Sequence, residues 1–368
     1  MTDRRGFLKS AAIAGAPAIL PAQTPSDTLR VAFVGVGNRG SFLLQNMLRV
    51  AGVRVVAVCD ILPDRAAAAA KAVADAGGNA RQWTDFRKML DQQKDIDAVV
   101  LATPDFTHKD FDLAILEVGK HLYAEKPLAL TVDDCKMVAR AAAEAKGVFQ
   151  AGFQLRHDPR RNGSMKFIHS GGMGKVLMCH GIRHGGDLPR DIPWYFDKKN
   201  NGDIVVDQGI HILDLFTWAI GAHPVRALAS GGTNLFIDVP PGRTVMDNYN
   251  LIFEYPGGER VNFSHHYFDP PGFSGIQERV FCAGGAIDLV QATWIPRDKR
   301  GAIKLDVPDE KEDSTYMALK AFAENVRGKK TPLNSAESGV RSTVQAIMAT
   351  KAIYEKRIVT WDEVAGGA

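Results

Sequence analysis

The stretch from Leu29 to Asp60 reads LRVAFVGVGNRGSFLLQNMLRVAGVRVVAVCD. The mostly apolar residues 29–34 and 53–59 indicate two buried strands, and residues 41–49 between them indicate a helix. Glycines 35, 37 and 40 form the pattern G-x-G-x-x-G directly after the first strand, and Asp60 follows the last of them by twenty residues. A strand before, a helix after and an acid at that distance form the context in which this pattern indicates a dinucleotide-binding βαβ unit.

The three glycines have different roles in such a unit. Gly35 allows the tight turn, Gly37 lets the backbone approach a pyrophosphate, and Gly40 permits close packing of helix and strand. The diphosphate would bind at the helix N-terminus, where unpaired N–H groups and the helix dipole favour negative charge. Asp60 would accept hydrogen bonds from the adenosine ribose and repel a 2′-phosphate, so the predicted cofactor is NAD rather than NADP.

The composition excludes several classes of protein. The chain has 368 residues, with 45% hydrophobic and 24% charged residues, which is ordinary for a globular protein of two domains. A net charge of +3 on scattered Lys and Arg residues gives no basic patch for nucleic acid. No apolar window is long enough to span a membrane, so no membrane anchor is expected. The four cysteines lie far apart without metal-ligand spacing, and no metal site is predicted.

Residues 1–27 do not show the pattern of the fold. The run Asp3-Arg-Arg-Gly-Phe-Leu-Lys9 precedes a small, apolar segment at residues 11–20 and resembles a twin-arginine export signal. No cysteine follows the apolar segment, so a lipoprotein anchor is not expected. We therefore predict recognition by the export machinery and a periplasmic or secreted location.

The pattern of secondary structure changes near residue 153. Before it, strands at 97–102, 121–124 and 148–152 alternate with helices, which predicts right-handed crossovers and a doubly wound parallel sheet. After it, runs at 225–231, 245–255, 259–267, 278–283 and 286–290 read as strands with hairpin-like turns. The predicted fold is an α/β Rossmann domain at residues 28–152 and an α+β domain with an antiparallel sheet at residues 153–368.

Two groups of polar residues carry the predicted chemistry. Gly35, Asp60, Thr103, Lys126 and Gln154 follow strand ends, and ligands of parallel sheets bind at that edge. In the second domain an aspartate at position 207 and a histidine at position 211 would be one helical turn apart. The aspartate could orient the imidazole and raise its basicity, as a general base for an alcohol proton requires.

Four motifs together resemble the Gfo/Idh/MocA oxidoreductase family. They are Gly35-x-Gly37-x-x-Gly40, Ala102-Thr-Pro104-x-x-x-His108, Glu125-Lys-Pro127 and Asp207-x-x-x-His211. Their order and spacing match across residues 28–368, and secreted members such as glucose–fructose oxidoreductase also have an export signal. The resemblance implies a Rossmann domain joined to a large open antiparallel sheet, with the active site between them. It also implies a homo-oligomer that pairs through the exposed face of that sheet.

The resemblance assigns roles to individual residues. Lys126 would hydrogen-bond the reacting hydroxyl, His211 would be the acid/base, and Asp207 would complete the triad. Residues expected at the cofactor are Gly35, Gly37, Asn38, Arg39, Gly40, Asp60, Thr103, Pro104, His108, Glu125, Lys126 and Gln154. Residues expected at the substrate are Arg156, Arg190 and Trp194.

Three functions agree with these expectations. A periplasmic enzyme has no pool of free NAD, so the cofactor would be loaded before export, stay bound and be regenerated in place. The leading prediction is an NAD-dependent oxidoreductase acting on a secondary hydroxyl of a sugar, polyol or related carbohydrate. An alternative is a redox-neutral glycoside hydrolase, in which transient oxidation of a sugar permits elimination of the aglycone. A non-catalytic protein that holds NAD and sugar is the third, and the intact Lys126, Asp207 and His211 argue against it.

Overall fold

The computed structural model describes residues 28–188, 192–273, 275–298, 301–308 and 311–366. The predicted export signal and Arg190 lie outside these ranges. Within them, no helix combines the length and the apolar character needed to cross a membrane.

The first domain is a six-stranded parallel sheet with helices between the strands. Its strands are β1 (Leu29–Val34), β2 (Val53–Cys59), β3 (Arg81–Trp83), β4 (Ala98–Leu101), β5 (His121–Ala124) and β6 (Phe149–Ala151). Its helices are α1 (Asn38–Met47), α2 (Pro63–Asp75), α3 (Phe86–Gln92), α4 (His108–Glu117) and α5 (Val132–Glu144). The order β3-β2-β1-β4-β5-β6 places the first crossover on one side of β1 and the later ones on the other. The predicted Rossmann fold is confirmed, and its ligand-binding edge is where the order reverses, between β1 and β4.

The second domain is a nine-stranded mixed sheet with helices on one face. Its strands are β7 (Val176–His184), β8 (Arg226–Gly232), β9 (Asn248–Glu254), β10 (Arg260–His266), β11 (Gly275–Cys282), β12 (Gly285–Asp288), β13 (Thr293–Pro296), β14 (Ile303–Lys304) and β15 (Val359–Thr360). Its helices are α6 (Pro159–His169), α7 (Lys198–Asn201), α8 (Ile210–Ile220), α9 (Ser314–Gly328), α10 (Ala336–Glu355) and α11 (Trp361–Ala365). The order is β14-β13-β12-β11-β7-β10-β9-β8-β15, and among the described strands of this second sheet only β7 and β10 pair in parallel. The predicted antiparallel sheet is thus mostly antiparallel with one parallel pair.

Helix α9 packs on the first domain although it follows the second sheet in the chain. Leu319 and Phe322 of this helix are buried with Val31 and Phe33 of β1 in one hydrophobic cluster. The side chain of Gln150 in β6 donates a hydrogen bond of 2.9 Å to the carbonyl of Ala318. The C-terminal part of the chain therefore crosses back and stabilises the Rossmann core, rather than belonging wholly to the second domain.

Helix α8 lies directly against β7. A Cβ atom at Gly181 of β7 would approach Phe216 Cε2 to 2.7 Å and Ile212 Cγ2 to 2.9 Å, so a larger residue would push the helix away. The helix begins after a π-helical turn at Val205–Gly209. This close packing fixes the start of α8, where His211 lies, against the end of β7.

Candidate active site

The glycine-rich turn is built as the motif predicts. Gly35 has a φ of +79°, and a Cβ there would lie 2.6 Å from the carbonyl oxygen of Ala102 on the neighbouring strand end. A Cβ at Gly40 would lie 1.9 Å from the carbonyl oxygen of Gly35, so the first residues of α1 pack directly against the backbone of the glycine-rich turn. Glycine is required at both positions because any side chain would separate the helix from the strand.

Asp60 lies at the end of β2 and faces the same turn. Its Oδ2 accepts a hydrogen bond from the N–H of Val36 at 3.0 Å, and its Oδ1 accepts one from the N–H of Leu62 at 3.0 Å. The two backbone donors hold the carboxylate in one orientation, and each oxygen retains a lone pair for a further donor. This geometry fits the predicted role of accepting hydrogen bonds from ribose hydroxyls.

The rim of the first sheet fits NAD. A Cβ atom at Gly37 would lie 3.2 Å from Nη1 of Arg65, so this guanidinium lies beside the N-terminus of α1. Its positive charge and the helix N-terminus together suit a diphosphate. The Oε1 atom of Gln154 is buried and has no hydrogen-bond partner in the described ranges. A buried amide oxygen of this kind is stabilised by a donor from a ligand, such as a carboxamide.

Two residues predicted at the cofactor bind each other. Arg39 Nη2 lies 2.7 Å from Glu125 Oε1, and Arg39 Nε donates a hydrogen bond of 2.8 Å to the same oxygen. Arg39 Nη1 donates to Thr315 Oγ1 at 3.2 Å. Glu125 is buried in this ion pair. Their side chains tie α1 to the end of β5 and to α9, and so support the rim. Asn38, the remaining polar member of the turn, also has an interaction within the protein.

His108, predicted to line the cofactor, contacts two backbone carbonyl groups of the protein. The imidazole is buried, its Nδ1 is 2.7 Å from the carbonyl oxygen of Pro127, and its Nε2 is 2.9 Å from that of Thr103. A neutral ring has one N–H and donates to one of these two carbonyl groups, and the imidazole lies between the loop after β4 and the loop after β5. Thr103 and Pro104 are held in turn by Thr107, whose hydroxyl lies 2.7 Å from Thr103 Oγ1 and from the carbonyl oxygen of Pro104.

Lys126 and Asp207 join the two domains. The Lys126 ammonium donates to Asp207 Oδ1 at 2.8 Å and to the Asp207 carbonyl oxygen at 2.5 Å. Burial opposes the charge of Lys126, but the carboxylates of Asp207, Asp105 and Glu125 outweigh it and raise the pKa of the lysine. The lysine is therefore a buried cation directed at the cleft between the domains.

His211 is close to this pair but is not oriented by Asp207. Its Nδ1 is buried without a hydrogen-bond partner in the described part of the chain, because the Asp207 carboxylate is bound by Lys126 instead. The predicted aspartate–histidine contact is thus replaced by an aspartate–lysine contact. Burial, and then the charges of Lys126 and Arg183, lower the pKa of His211 well below its ordinary value. The lowered pKa favours the neutral imidazole, which is the form that can accept a proton.

Two residues of this site are absent from the sequence predictions. Asp105 is buried beside the pair, its Oδ2 lacks a partner in the described ranges, and burial followed by the charge of Asp207 raises its pKa well above normal. Arg183 at the end of β7 donates to Gln208 Oε1 at 3.3 Å. The strand-end argument could have found Asp105, since it directly follows Thr103 and Pro104. No sequence pattern indicates Arg183.

Of the predicted substrate residues, the structure describes Arg156 and Trp194. Arg156 is buried in a two-pronged ion pair with Asp214, whose carboxylate oxygens lie 2.8 Å from Nε and 2.7 Å from Nη2. Ser342 Oγ donates to the same carboxylate at 2.6 Å, which makes this a structural link to α10. Trp194 packs partly buried against the core, and Arg190 lies outside the described residues.

The chain matches models of one protein family in both domains. Residues 29–153 match the oxidoreductase family model Gfo/Idh/MocA with an NAD-binding Rossmann fold, and residues 165–288 match the Gfo/Idh/MocA C-terminal domain. Inositol 2-dehydrogenase 2 of Saccharopolyspora erythraea is 33% identical over 55% of this chain and 57% of that protein. The chain thus spans a little over half the length of that relative.

Two further similarities extend over most of the chain. The 2,7-anhydro-N-acetylneuraminate hydratase of Mediterraneibacter gnavus is 25% identical over 92% of this chain and 98% of that protein. The crystal structure of scyllo-inositol dehydrogenase from Lactobacillus casei with bound NAD(H) and scyllo-inositol has a TM-score of 0.77, with 20% identity over 91% of this chain and 99% of that one. The matches to the family models are consistent with the order of the parallel sheet and with the glycine turn. The chain belongs to the Gfo/Idh/MocA family of NAD-dependent oxidoreductases.

Proposed function

We propose that the protein oxidises a secondary hydroxyl of a sugar, polyol or related carbohydrate. The observation that carries this proposal is the contact of Lys126 with Asp207 across the cleft, close to His211, whose Nδ1 has no hydrogen-bond partner in the described ranges. Despite burial, the surrounding carboxylates raise the pKa of Lys126, whereas burial lowers the pKa of His211. Bound NAD supplies a hydride acceptor.

The protein side chains would handle the proton of this reaction. The Lys126 ammonium polarises the substrate hydroxyl, and His211 accepts its proton as the carbon loses hydride and the carbonyl forms. Asp207 keeps the lysine charged and positioned. The similarity to an inositol dehydrogenase supports a cyclic polyhydroxyl substrate.

A redox-neutral elimination or hydration is the second candidate. The Mediterraneibacter gnavus relative, matched over 98% of its length, is named a hydratase. We propose that such a reaction in this chain would begin with the same oxidation beside Lys126 and His211. A carbonyl formed transiently acidifies the neighbouring C–H bond, so a leaving group can be lost before the hydride returns.

One assay separates the two candidates. Purified protein, without added cofactor, is incubated with aryl glycosides, free sugars and inositols, while aglycone release and reduced nicotinamide absorbance are followed. Accumulation of reduced nicotinamide without aglycone release supports the oxidoreductase. Aglycone release without net reduction selects the elimination mechanism and contradicts the leading proposal.

We also propose that the protein is exported through residues 1–27 with NAD tightly held, and that it assembles as a homo-oligomer. The support for export is the twin-arginine pattern at Arg4 and Arg5.

The support for a homo-oligomer lies on the large sheet. The side chains of Ile252 and Ile276 are exposed on its strands, and burying this apolar area would favour pairing of chains through that sheet.

A further inference from the structure

Two histidines meet on the face of β7 and β10 that points away from the catalytic residues. His184 and His266 are direct partners in the parallel pairing of these strands, and their rings stack with centroids 3.7 Å apart. Neighbouring residues of a strand face opposite sides, and Arg183, the residue before His184, bonds Gln208 on the catalytic side. The histidine pair therefore lies outside the active site.

Asp269 completes a cluster with these two rings. The backbone N–H of Asp269 donates to the carbonyl oxygen of Gly185 at 3.0 Å. The N–H of Gly185 donates in turn to the carbonyl oxygen of His266 at 2.8 Å. These backbone bonds hold the turn after β10 against the end of β7. One ligand atom from each of His184, His266 and Asp269 lies within 4.8 Å of the others. The cluster is thus assembled by the backbone and not by flexible side chains alone.

The Asp269 carboxylate lacks a donor for one oxygen. Oδ1 is 3.3 Å from His266 Nε2, but Oδ2 has no hydrogen-bond partner in the described ranges and lies 3.8 Å from His184 Nδ1. The residue is 8% exposed. A carboxylate oxygen buried to this degree is unfavourable unless a cation or a donor meets it.

One tautomer of His184 directs a lone pair at this oxygen. Ser264 Oγ is 2.9 Å from His184 Nε2, and when Nε2–H donates a hydrogen bond to it, the unprotonated Nδ1 faces Asp269. A neutral imidazole whose second nitrogen is fixed by a hydrogen bond is the usual form of a metal-binding histidine.

We propose that His184, His266 and Asp269 bind a divalent transition-metal ion of the Zn²⁺ type. Two imidazole nitrogens and one carboxylate oxygen suit Zn²⁺ and its first-row neighbours, whereas Mg²⁺ prefers oxygen ligands alone. Metal–ligand distances of about 2.0–2.2 Å require the side chains to close by roughly 1 Å from their present separation. The bound ion would tie the ends of β7 and β10 to the following turn, and its fourth position would be open to water.

Titration of the full-length, metal-chelated protein with Zn²⁺ tests this site. We expect one ion per chain, a higher melting temperature with Zn²⁺ and no such effect with Mg²⁺. Co²⁺ in place of Zn²⁺ should give a visible absorption band from a low-coordinate site. His266→Ala and Asp269→Asn should weaken binding by about a hundred-fold or more, because each removes a ligand, and Ser264→Ala by roughly ten-fold.

His180→Ala is the matched control, since His180 lies on the same strand as His184 and four residues before it. This variant should bind Zn²⁺ as the wild type does. The Asp269→Asn variant keeps the shape of the side chain, and unchanged NAD binding shows that the variants are folded. Absence of Zn²⁺ binding by the wild-type chain would overturn the proposal, as would equal affinity in the ligand variants. The proposal does not depend on the oxidoreductase reaction, which uses the other side of β7.

Discussion

Lys126 Nζ lies 2.8 Å from Asp207 Oδ1, although the two residues are 81 positions apart in the chain and belong to different domains. The lysine follows β5 of the Rossmann sheet, and the aspartate lies in the π-helical turn before α8. The lysine also donates a hydrogen bond to the backbone carbonyl oxygen of Asp207, so two contacts join the domains at this point of the cleft. The catalytic proposal rests on this contact.

Lys126→Ala should lower turnover by about a hundred- to ten-thousand-fold, since it removes the group that polarises the hydroxyl. NAD should remain bound, because the turn at Gly35 and the carboxylate of Asp60 are unchanged. Turnover and NAD occupancy are measured in the same sample. Loss of NAD from this variant would make the lysine a cofactor ligand rather than a catalytic residue.

Asp207→Asn should shift the alkaline limit of activity to lower pH. The Asp207 carboxylate is the largest of the charges that raise the pKa of Lys126, so its removal lets the ammonium lose its proton earlier as pH rises. The pH profile of kcat is the measurement, with wild type as the reference. An unchanged alkaline limb would show that the charge of Lys126 does not control the reaction.

His211→Ala should also lower turnover by about a hundred- to ten-thousand-fold. Because the pKa of His211 lies below the ordinary value of about 6.5, wild-type activity should persist in mildly acidic solution. Arg183→Met removes one of the charges that depress this pKa, so the acid limb of kcat/KM should move to higher pH. Arg279→Met, on the exposed part of β11, is the control and should leave the limb in place. If the wild type, Arg183→Met and Arg279→Met had equal pH profiles of kcat/KM, the general base would be a residue other than His211.

Asp60→Ala should reduce the preference for NAD over NADP. The carboxylate is fixed by Val36 and Leu62 at the position expected for the ribose, where it would oppose a 2′-phosphate. Titration of the cofactor-free protein with each dinucleotide gives the ratio of the two dissociation constants. Equal binding of NADP and NAD by the wild-type chain would contradict the assigned role.

Asp112→Ala should stabilise the protein at neutral pH by about 1–3 kcal/mol, because it removes a buried carboxyl with two unpartnered oxygens. Burial raises the pKa of Asp112 well above that of the unfolded chain, so folding retains a proton that unfolding releases. Stability of the wild type should therefore fall as pH rises from about 4 towards 7, and less so in the variant. Denaturant unfolding at several pH values measures this, with Asp110→Ala, an exposed position of α4, as the control.

Much of the first domain follows from the sequence because its signals are local. The alternation of short apolar runs and helical segments predicts β1, β2, β4, β5 and β6, and the spacing of Gly35, Gly40 and Asp60 predicts the cofactor edge. The turn and its helix lie within a few residues of each other, so backbone conformation alone requires glycine there. Strand β3 has no such signal, because it is only three residues long and two of them are exposed.

The partners of the polar side chains were decided only by the tertiary structure. The sequence places Asp207 one helical turn from His211, yet in the folded chain the Asp207 carboxylate binds Lys126. Arg156, predicted at the substrate, binds Asp214. His184 and His266 become neighbours through the parallel pairing of β7 with β10, which no local pattern in either strand indicates. Local sequence determines where a strand or turn forms, whereas the pairing of buried charges depends on which distant elements are brought together. A buried charge binds the nearest complementary group in space, and that group is set by topology and register.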